Sequence, residues 1–394
     1  MNWAMIGGFA LAAIWTWHTV AAMLGMPSIK ELSDATWDIA PGDIVSKTTG
    51  ERSPKVSIIV PARNEEHTIE PAMRSLMAAD YPRLEVIAVN DRSTDQTGRV
   101  LDELAAGNPQ RLIVLHVKEL PEGWLGKTHA MWLAAGQASG EWLLFTDADV
   151  HQSTDVLRRA IAYAERSGTD HLVVMPTMLT YNWGERMMIA LFQALFIFAQ
   201  RPWKVADPKA RDFIGVGAFN LVRRSAYDAI GGYDRFRLAI VDDMKLGEMV
   251  KKQGFASNCV FAKDGVRIHW AQGALGIVHN LVKNFFAAML YNVAIVLGAV
   301  LGLFLVFLGP WVGAIFAHGW ARAGYLISLL CLFTIYVGMS KRSGVSPLYV
   351  FLHPVGTVLI AYTMLLSMAA TLWRGGVLWR GTMYSLEELR RSGL

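Results

Sequence analysis

Two pairs of aspartates are the residues whose types and spacing most directly indicate chemistry in this sequence. Asp147 and Asp149 follow one apolar run, and Asp242 and Asp243 follow another. Two carboxylates one residue apart at a strand end bring hard oxygen ligands together, which suits Mg²⁺ or Mn²⁺ held partly by a diphosphate. A carboxylate within reach of a hydroxyl can accept its proton during a group transfer. Considered alone, each pair also fits a turn or a helix cap.

The runs before these aspartates belong to a repeating pattern that must position them. Between residues 55 and 180, short β-branched runs alternate with longer amphipathic stretches. The predicted strands are 55–60, 84–89, 111–117 and 141–146, and the predicted helices are 65–79, 94–106, 127–139 and 154–167. Strands that are apolar on both faces are typical of a parallel sheet covered by helices, with ligands beyond the carboxyl ends of the strands. This position favours metal ligation by Asp147 and Asp149 over a simple turn.

Polar residues also follow the first and second predicted strands. Residues 61–66 read Pro-Ala-Arg-Asn-Glu-Glu, where Asn64 is predicted to cap the next helix and the two glutamates to lie in its first turn. Residues 90–95 read Asn-Asp-Arg-Ser-Thr-Asp. The sequence lacks the glycine-rich fingerprints of dinucleotide-binding folds and of P-loops, which argues against dehydrogenases and P-loop enzymes.

The composition separates this polar block from apolar flanks. Hydrophobic residues make up 53% of the 394 residues, and charged residues make up 18%, against about a quarter in ordinary soluble proteins. Residues 1–25 carry no charged side chain, and residues 287–373 carry three basic ones. Because the intervening block is nearly neutral, the net charge of +4 arises near the C-terminus and does not indicate nucleic-acid binding. Two cysteines are too few for a disulfide framework or a cysteine-based metal site.

Four segments have the length and apolarity of membrane helices. An uncleaved anchor is predicted at 4–25, because no basic region precedes it and no convincing cleavage site ends it. Three further spans are predicted at 287–308, 323–340 and 348–372. The predicted number of C-terminal membrane spans is three or four, since a re-entrant segment near Pro310 or near His353 and Pro354 would change it. The uncharged stretch 187–200 is too short to cross and is predicted to be interfacial or a core helix.

Taken in order, these pieces resemble a membrane-bound family 2 glycosyltransferase of the inverting GT-A type. The similarity is greatest to the branch associated with hopanoid biosynthesis and with carotenoid or lipid glycosylation. The matching segments are SIIVPARNEE (57–66), VNDRSTDQT (89–97), GWLGKTHA (123–130), LLFTDADV (143–150), GVGAFNLVRRSAYDAIGGY (215–233), VDDMKLGEMVKKQG (241–254) and LWRGTMYSLEEL (378–389). The resemblance implies an α/β GT-A fold of the nucleotide-diphospho-sugar transferase kind, with a Rossmann-like, mostly parallel sheet and transmembrane helices at both ends.

The resemblance implies a donor site at the ends of the first two strands. Pro61, Ala62, Arg63 and Glu65 would surround the nucleoside of the donor, and Asp91 would contact its base. The donor would be a nucleotide-sugar, with UDP-sugars favoured over GDP-sugars.

The same resemblance implies the reacting groups. Lys127 would reach the donor diphosphate, although a solvated lysine at a helix start is an alternative. Asp147 and Asp149 would be the pair that binds Mg²⁺ or Mn²⁺, with Asp149 the more direct ligand and Asp147 also on the donor side. The metal would neutralise charge on the leaving nucleoside diphosphate. Asp243 would be the general base, with Asp242 as its supporting neighbour or as the alternative base.

Further candidates lie on either side of the second acidic pair. Gly215 and Gly217 would let the backbone approach the acceptor or the donor sugar, unless they form only a flexible turn. Processive synthases of this family carry Gln-x-x-Arg-Trp after the acidic pair, whereas this sequence has only Arg267, His269 and Trp270 in that region. These three are candidates for contacts with the diphosphate or the acceptor, and the tryptophan also fits an interfacial anchor. The missing motif favours transfer of one sugar over polymerisation.

The resulting hypothesis is a metal-dependent inverting glycosyltransferase that moves one sugar from a nucleotide-sugar to a membrane lipid, such as a hopanoid. The alternatives are a polyisoprenyl-phosphate sugar transferase or small polysaccharide synthase, a catalytically silent membrane scaffold, and a transporter, which the acid-free spans disfavour. The predicted order is an anchor (1–25), a linker (26–54), a cytoplasmic GT-A domain (55–285), a transmembrane bundle (286–373) and a basic tail (374–394).

The orientation of the tail conflicts with the predicted number of spans. With the catalytic domain in the cytoplasm of a bacterial inner membrane, three C-terminal spans put Lys341 and Arg342 inside, as the positive-inside tendency prefers. The same count puts the four arginines of the tail outside. The resemblance also places residues 379–381 of the tail near the catalytic face, so we give the orientation precedence over the number of spans.

Overall fold

The structure, a computed structural model, describes residues 3–392. The chain forms two compact units. The helix unit begins with α1 (Trp3–Gly25) and also contains Thr180–Trp203 and Trp270–Arg390. The sheet unit consists mainly of Ile29–Leu179 and Lys204–His269.

A seven-stranded sheet forms the centre of the sheet unit, with strand order β3-β2-β1-β4-β8-β6-β9. The strands of this unit are β1 (Val56–Ala62), β2 (Leu84–Asp91), β3 (Leu112–Val117), β4 (Trp142–Phe145), β5 (His151–Gln152), β6 (His171–Met175), β7 (Thr177–Met178), β8 (Asn220–Arg223), β9 (Ser257–Phe261) and β10 (Val266–Ile268). Only β8 runs antiparallel to its neighbours in the large sheet of the described residues, so this sheet is mostly parallel. Strand β10 joins β5 and β7 in a small second sheet.

Helices cover both faces of the large sheet. The helices of the sheet unit are α2 (Ile69–Met77), α3 (Thr97–Gly107), α4 (Gly126–Gln137), α5 (Val156–Ser167), α7 (Arg224–Ala229) and α8 (Asp242–Lys252). Helix α6 (Trp183–Gln200) belongs to the helix unit. Ile58 and Val60 pack in one hydrophobic cluster, and the alternate residue Ile59 packs in the other. The sheet is therefore buried on both faces, and the α/β prediction is confirmed.

The helix unit contains four helical segments that are long and apolar enough to cross a membrane, by length and composition: Trp3–Ser28, Val293–Phe316, Trp320–Ser343 and Pro347–Arg374. The last three of these segments contain α10 (Val293–Leu303) with α11 (Gly309–Phe316), α12 (Trp320–Ser343) and α13 (His353–Arg374). Helix α9 (Gly273–Ala288) precedes them, and the hairpin of β11 (Gly376–Trp379) and β12 (Thr382–Ser385) and α14 (Leu386–Ser392) follow them. The chain is a membrane-associated protein. Stretch 187–200 lies within α6.

The first of the C-terminal segments begins at Val293, six residues later than the sequence predicts. Leu290 and Tyr291 both have positive φ angles and interrupt the helical backbone. Asn292 then caps the next helix, because its side chain accepts hydrogen bonds from the backbone of Ala294 and Ile295. A π-helical turn and α11 extend this segment through Pro310, which lies in the first turn of α11.

Candidate functional site

The loops after β1 and β2 are bound to each other by reciprocal hydrogen bonds. Asn64 has φ of 54° and accepts a hydrogen bond from the backbone N–H of Thr94 at 2.8 Å. Glu66 accepts from the backbone N–H of Gln96 at 2.9 Å, and its own N–H donates to Asp95 at 3.1 Å. The prediction that Asn64 caps a helix is wrong, since α2 begins only at Ile69 and the side chain of Asn64 joins the two loops instead.

Asp91 ends β2 with its carboxylate held by arginine. The guanidinium of Arg92 donates to both carboxylate oxygens, at 2.7 and 3.0 Å, and Nη1 of Arg63 lies 4.0 Å away. A Cβ at Gly126, the first residue of α4, would collide with this carboxylate. The charge of Asp91 is therefore neutralised within the protein, beside the start of α4. Arg92, which makes this contact, lies in the matching segment 89–97 but is not among the predicted site residues.

Lys127 connects the two acidic pairs. Its Nζ lies 2.8 Å from Oδ1 of Asp147 and 3.3 Å from Oδ1 of Asp242. Burial opposes the charge of this ammonium, but the carboxylates of Asp147, Asp242 and Asp243 outweigh burial and hold the pKa of Lys127 above its ordinary range. Lys127 thus brings together the residues that follow β4 and the first residue of α8.

The start of α4, which carries Lys127, is fixed by the loop before α8. The backbone carbonyl of Arg237 accepts hydrogen bonds from the N–H of Leu125, at 3.1 Å, and from the hydroxyl of Thr128. The guanidinium of Arg237 lies 4.8 Å from the ring centroid of Trp124. These contacts set the position of the lysine, and no motif in the sequence signals them.

Gly217 lies directly against Asp147. The backbone N–H of Asp147 donates to the carbonyl of Gly217 at 3.0 Å, and a Cβ at Gly217 would come within 2.5 Å of Oδ2 of Asp147. At Gly215, a Cβ would collide with the backbone carbonyl of Asp243. The absence of a side chain at these two glycines therefore lets their backbone pack closely against Asp147 and Asp243. The resemblance implies a different role for them, which is to let the backbone approach a sugar.

Asp149 is surrounded by negative charge. Burial, Asp147 and Glu65 together raise the pKa of Asp149 to about 6. Within residues 3–392 no group of three acidic, histidine or cysteine side chains is arranged to hold a metal ion by itself. The excess of carboxylate charge at Asp149 fits a divalent cation whose remaining ligands come from a diphosphate.

Two backbone amides donate hydrogen bonds to Asp243, and the nearby charge of Lys127 also favours its ionised form. Its Oδ2 accepts from the N–H of Gly217 at 2.9 Å, and its Oδ1 accepts from the N–H of Met244 at 2.8 Å. It lies in the first turn of α8, where the helix dipole favours negative charge. Burial nevertheless raises the pKa of Asp243, as it does that of Asp242. A carboxylate with a fixed orientation and raised basicity suits a general base.

The candidates after the acidic pair are dispersed. Arg267 is exposed in β10, in register with His151 of β5, and His269 follows this strand in the sheet unit. Trp270 belongs to the helix unit, where its ring packs 4.8 Å from that of Phe192. Among the donor candidates, Ala62 is buried in the hydrophobic core and can contribute only its backbone.

Comparisons with known proteins agree with this architecture. The sequence profile of glycosyl transferase family 2 matches residues 57–231. A 4,4'-diaponeurosporenoate glycosyltransferase of Staphylococcus aureus (strain bovine RF122 / ET3-1) is 24% identical over 363 residues, which cover 87% of this chain and 92% of the relative. The corresponding enzyme of Staphylococcus haemolyticus is 24% identical over 208 residues, covering 52% of this chain and 54% of the relative.

A solved structure shares the fold. The mannosyltransferase of Pyrobaculum calidifontis in complex with GDP-Man and Mn²⁺ has a TM-score of 0.51 and 19% sequence identity. The similarity covers 93% of this chain and 99% of the mannosyltransferase. The sheet unit has the GT-A fold, as predicted. Residues 57–231 form a glycosyl transferase family 2 domain homologous to the diaponeurosporenoate glycosyltransferases, and the chain is accordingly a glycosyltransferase.

Proposed function

We propose that the protein transfers one sugar, with inversion, from a nucleotide-sugar to an apolar membrane lipid, and that Asp243 removes the acceptor proton. The observation that carries the proposal is the arrangement of three groups: Asp243 held by two amides, Lys127 between Asp147 and Asp242, and Asp149 with unbalanced negative charge. Gly217 and Lys127 contact members of both acidic pairs, and this closeness supports a site that combines a base, a cation for a diphosphate and a metal.

The donor side would rest on Lys127 and the first acidic pair. Lys127 would give its positive charge to the diphosphate as the bond between the anomeric carbon and the phosphate oxygen breaks. Asp149, with Asp147, would hold Mg²⁺ or Mn²⁺ on the same diphosphate. When bound, this ion would neutralise the charge that develops on the leaving group. Asp91, with Arg63 and Arg92, would bind the nucleoside of a UDP-sugar or another nucleotide-sugar.

On the acceptor side, a hydroxyl oxygen would attack the anomeric carbon while its proton passes to Asp243. The new bond forms on the face opposite the leaving diphosphate, so the configuration of the sugar inverts. The fixed geometry of Asp243 would lower the reorganisation needed at this step. Asp242, which is paired with Lys127, would act as a positioning residue.

The acceptor is proposed to be an isoprenoid-type lipid. The four apolar segments support a membrane substrate, and the homologous staphylococcal enzymes are named for 4,4'-diaponeurosporenoate. A hopanoid is the acceptor that the sequence resemblance suggests. Because nucleotide-sugars are cytoplasmic, the sheet unit is proposed to face the cytoplasm of a bacterial inner membrane.

The test is a mass-spectrometric survey of lipid extracts after membranes containing the protein are incubated with a panel of nucleotide-sugars and Mg²⁺ or Mn²⁺. We expect one lipid to gain the mass of one sugar, and we expect Asp243→Asn to remove this gain. Binding of a nucleotide-sugar without any modified lipid would contradict the proposal. A ladder of several sugars would instead identify a polymerising enzyme.

A further inference from the structure

Two helices of the helix unit run parallel along their whole length. Near the start of both, the hydroxyl of Tyr325 donates to the carbonyl of Ala4 at 3.1 Å. Near their ends, Nη2 of Arg342 donates to the carbonyl of Met26 at 3.5 Å. Helices α1 and α12 therefore share one direction. We name the end of the helix unit that contains Met26 and Arg342 the near end, and the opposite end, which contains Ala4 and Tyr325, the far end.

The segment Val293–Phe316 runs in the opposite direction. Nε1 of Trp15, in the middle of α1, donates to the carbonyl of Val306 at 2.9 Å. Gly313 lies against the ring of Tyr325 at the far end. The segment therefore begins at the near end at Val293 and rises to the far end.

The chain after α12 turns back into the helix unit. The ring of His353, the first residue of α13, stacks on Phe307 with centroids 5.7 Å apart, and its Nδ1 is hydrogen-bonded to the hydroxyl of Tyr336 at 2.9 Å. Phe307 lies 14 residues beyond Val293, or about 21 Å from the near end at 1.5 Å per helical residue. Helix α13 therefore starts deep inside the unit rather than at either end.

Helix α13 then returns to the near end. Its Ser367 hydroxyl accepts from the backbone N–H of Phe286 at 2.9 Å and donates to the carbonyl of Val282. Both of these residues lie in α9, just before Val293. The rise from His353 to Ser367 is also 14 residues, about 21 Å. The two distances match, so α13 descends beside the first part of Val293–Phe316.

The residues that follow α13 remain at this end. Nζ of Lys283 lies 4.4 Å from the ring centroid of Trp379 in the β11–β12 hairpin. Nη2 of Arg390 donates to the carbonyl of Tyr291 at 3.0 Å. The tail therefore packs on the residues that precede the first C-terminal segment.

We propose that Pro347–Arg374 is a re-entrant segment, which enters and leaves the membrane on the same face. The protein then has three crossings, namely α1, Val293–Phe316 and α12, and the tail lies on the near-end face with Ser28, where the chain leaves the helix unit. Of the four apolar segments, Pro347–Arg374 is the most enclosed by protein. This agrees with the rule that a break in a membrane helix must be covered by other parts of the protein.

The distribution of charge supports the same topology. Lys283, Lys341, Arg342 and Arg374 all lie toward the near end, together with Arg390 of the tail. Among the charged side chains of the described segments 3–25 and 293–343, Arg322 alone lies toward the far end. A re-entrant segment thus removes the conflict between the tail and the positive-inside tendency, and the near end is cytoplasmic.

The first test measures the side on which the tail lies, in a full-length chain in which Cys259 and Cys331 are replaced by alanine. Single cysteines would be introduced at exposed positions as Ser33→Cys, His318→Cys and Met383→Cys, and treated with an impermeant thiol reagent in right-side-out and inverted vesicles. We expect Met383→Cys to label together with Ser33→Cys, in inverted vesicles only, and His318→Cys to label in right-side-out vesicles. Labelling of Met383→Cys together with His318→Cys would overturn the proposal.

The second test identifies which segment fails to cross. Fluorescent labels would be placed by cysteine substitution at four exposed positions, Phe351, Val355, Tyr362 and Leu372, and their depth measured by quenching with spin-labelled lipids. A re-entrant segment predicts that the label at Phe351 or Val355 is deepest and that depth falls steadily to Leu372. If the label at Tyr362 were deepest, with Val355 and Leu372 both shallower, the segment would be an ordinary crossing. Because both tests read topology and not turnover, their outcome is independent of the proposed reaction.

Discussion

The two acidic pairs of the sheet unit have the same residue type and opposite patterns of contact. Asp147 and Asp242 share the ammonium of Lys127, at 2.8 and 3.3 Å. Asp149 has carboxylates as its main charged neighbours, and Asp243 is held by backbone amides. Each pair therefore contains one carboxylate that forms an ion pair with Lys127 and one that forms no ion pair in the described part of the chain. We therefore propose a chemical role for the second member of each pair and a positioning role for the first.

The largest expected effect comes from breaking the second pair at its reactive member. Asp243→Asn keeps the size of the side chain and removes the proton acceptor, so we expect the turnover number to fall by about 10²- to 10⁴-fold with a hydroxyl acceptor. Donor affinity, measured by calorimetry, should stay unchanged. Asp242→Asn is the matched control, and an equal loss of turnover in both variants would contradict the division of roles.

Breaking the link between the pairs should have the next largest effect. Lys127→Met retains most of the side-chain volume but leaves Asp147 and Asp242 without their shared cation, and leaving the buried Asp242 without its partner should be destabilising. The pKa values of Asp242 and of Asp243, the proposed base, should then rise further, because the ammonium that lowers both is lost. We expect weaker donor binding and an acidic limb of the rate profile that moves to higher pH. An unchanged profile would show that Lys127 does not control these carboxylates.

Asp149 provides a test that depends on pH. Its raised pKa of about 6 means that protons compete with a metal ion below this pH, so Mn²⁺ affinity should increase as pH rises through about 6. In the metal-free protein, the ionised carboxylate should cost stability as pH rises from about 4 to about 6, because the pKa of the folded state exceeds that of the unfolded state. Asp149→Asn should therefore raise the midpoint of thermal unfolding at pH 8 and leave it unchanged at pH 4. Turnover that persists in a chelator would refute the metal assignment.

A smaller effect is expected from crowding the first pair. Gly217→Ala places a methyl group against Asp147, and we expect a loss of turnover with a modest loss of stability of about 1–3 kcal/mol. Gly136→Ala, in α4, is the control, because its added methyl group meets open space and should stabilise the helix by about 1 kcal/mol. Chemical denaturation of both variants measures the difference.

The sequence predicts the strands well because their physical signal is local. Each of β1 to β4 is a short apolar run, and the structure places each within two residues of its predicted bounds. The acidic pairs are also recognisable, since they follow apolar runs directly. Asn64 was misassigned because a local pattern suggested a cap, whereas a contact with Thr94, distant in the chain, fixes its conformation.

Other features depend on contacts that no periodicity encodes. Lys127 gives no sign in the sequence that it joins two acidic pairs, and Gly217 gives no sign that Asp147 lies against it. The direction of α13 is equally hidden, because hydropathy measures length and apolarity alone. Only the contacts of His353 and Ser367 show that the helix starts inside the unit and ends beside α9.

The most direct test of the central claim, displacement at the anomeric carbon with Asp243 as base, is the configuration of the sugar in the lipid product. Purified protein in vesicles would be given an α-linked nucleotide-sugar, and the anomeric proton of the glycolipid would be examined by NMR. We predict a β-linked product, formed in a single displacement. An α-linked product would contradict the account, because retention of configuration requires a different sequence of steps from a single base-assisted attack.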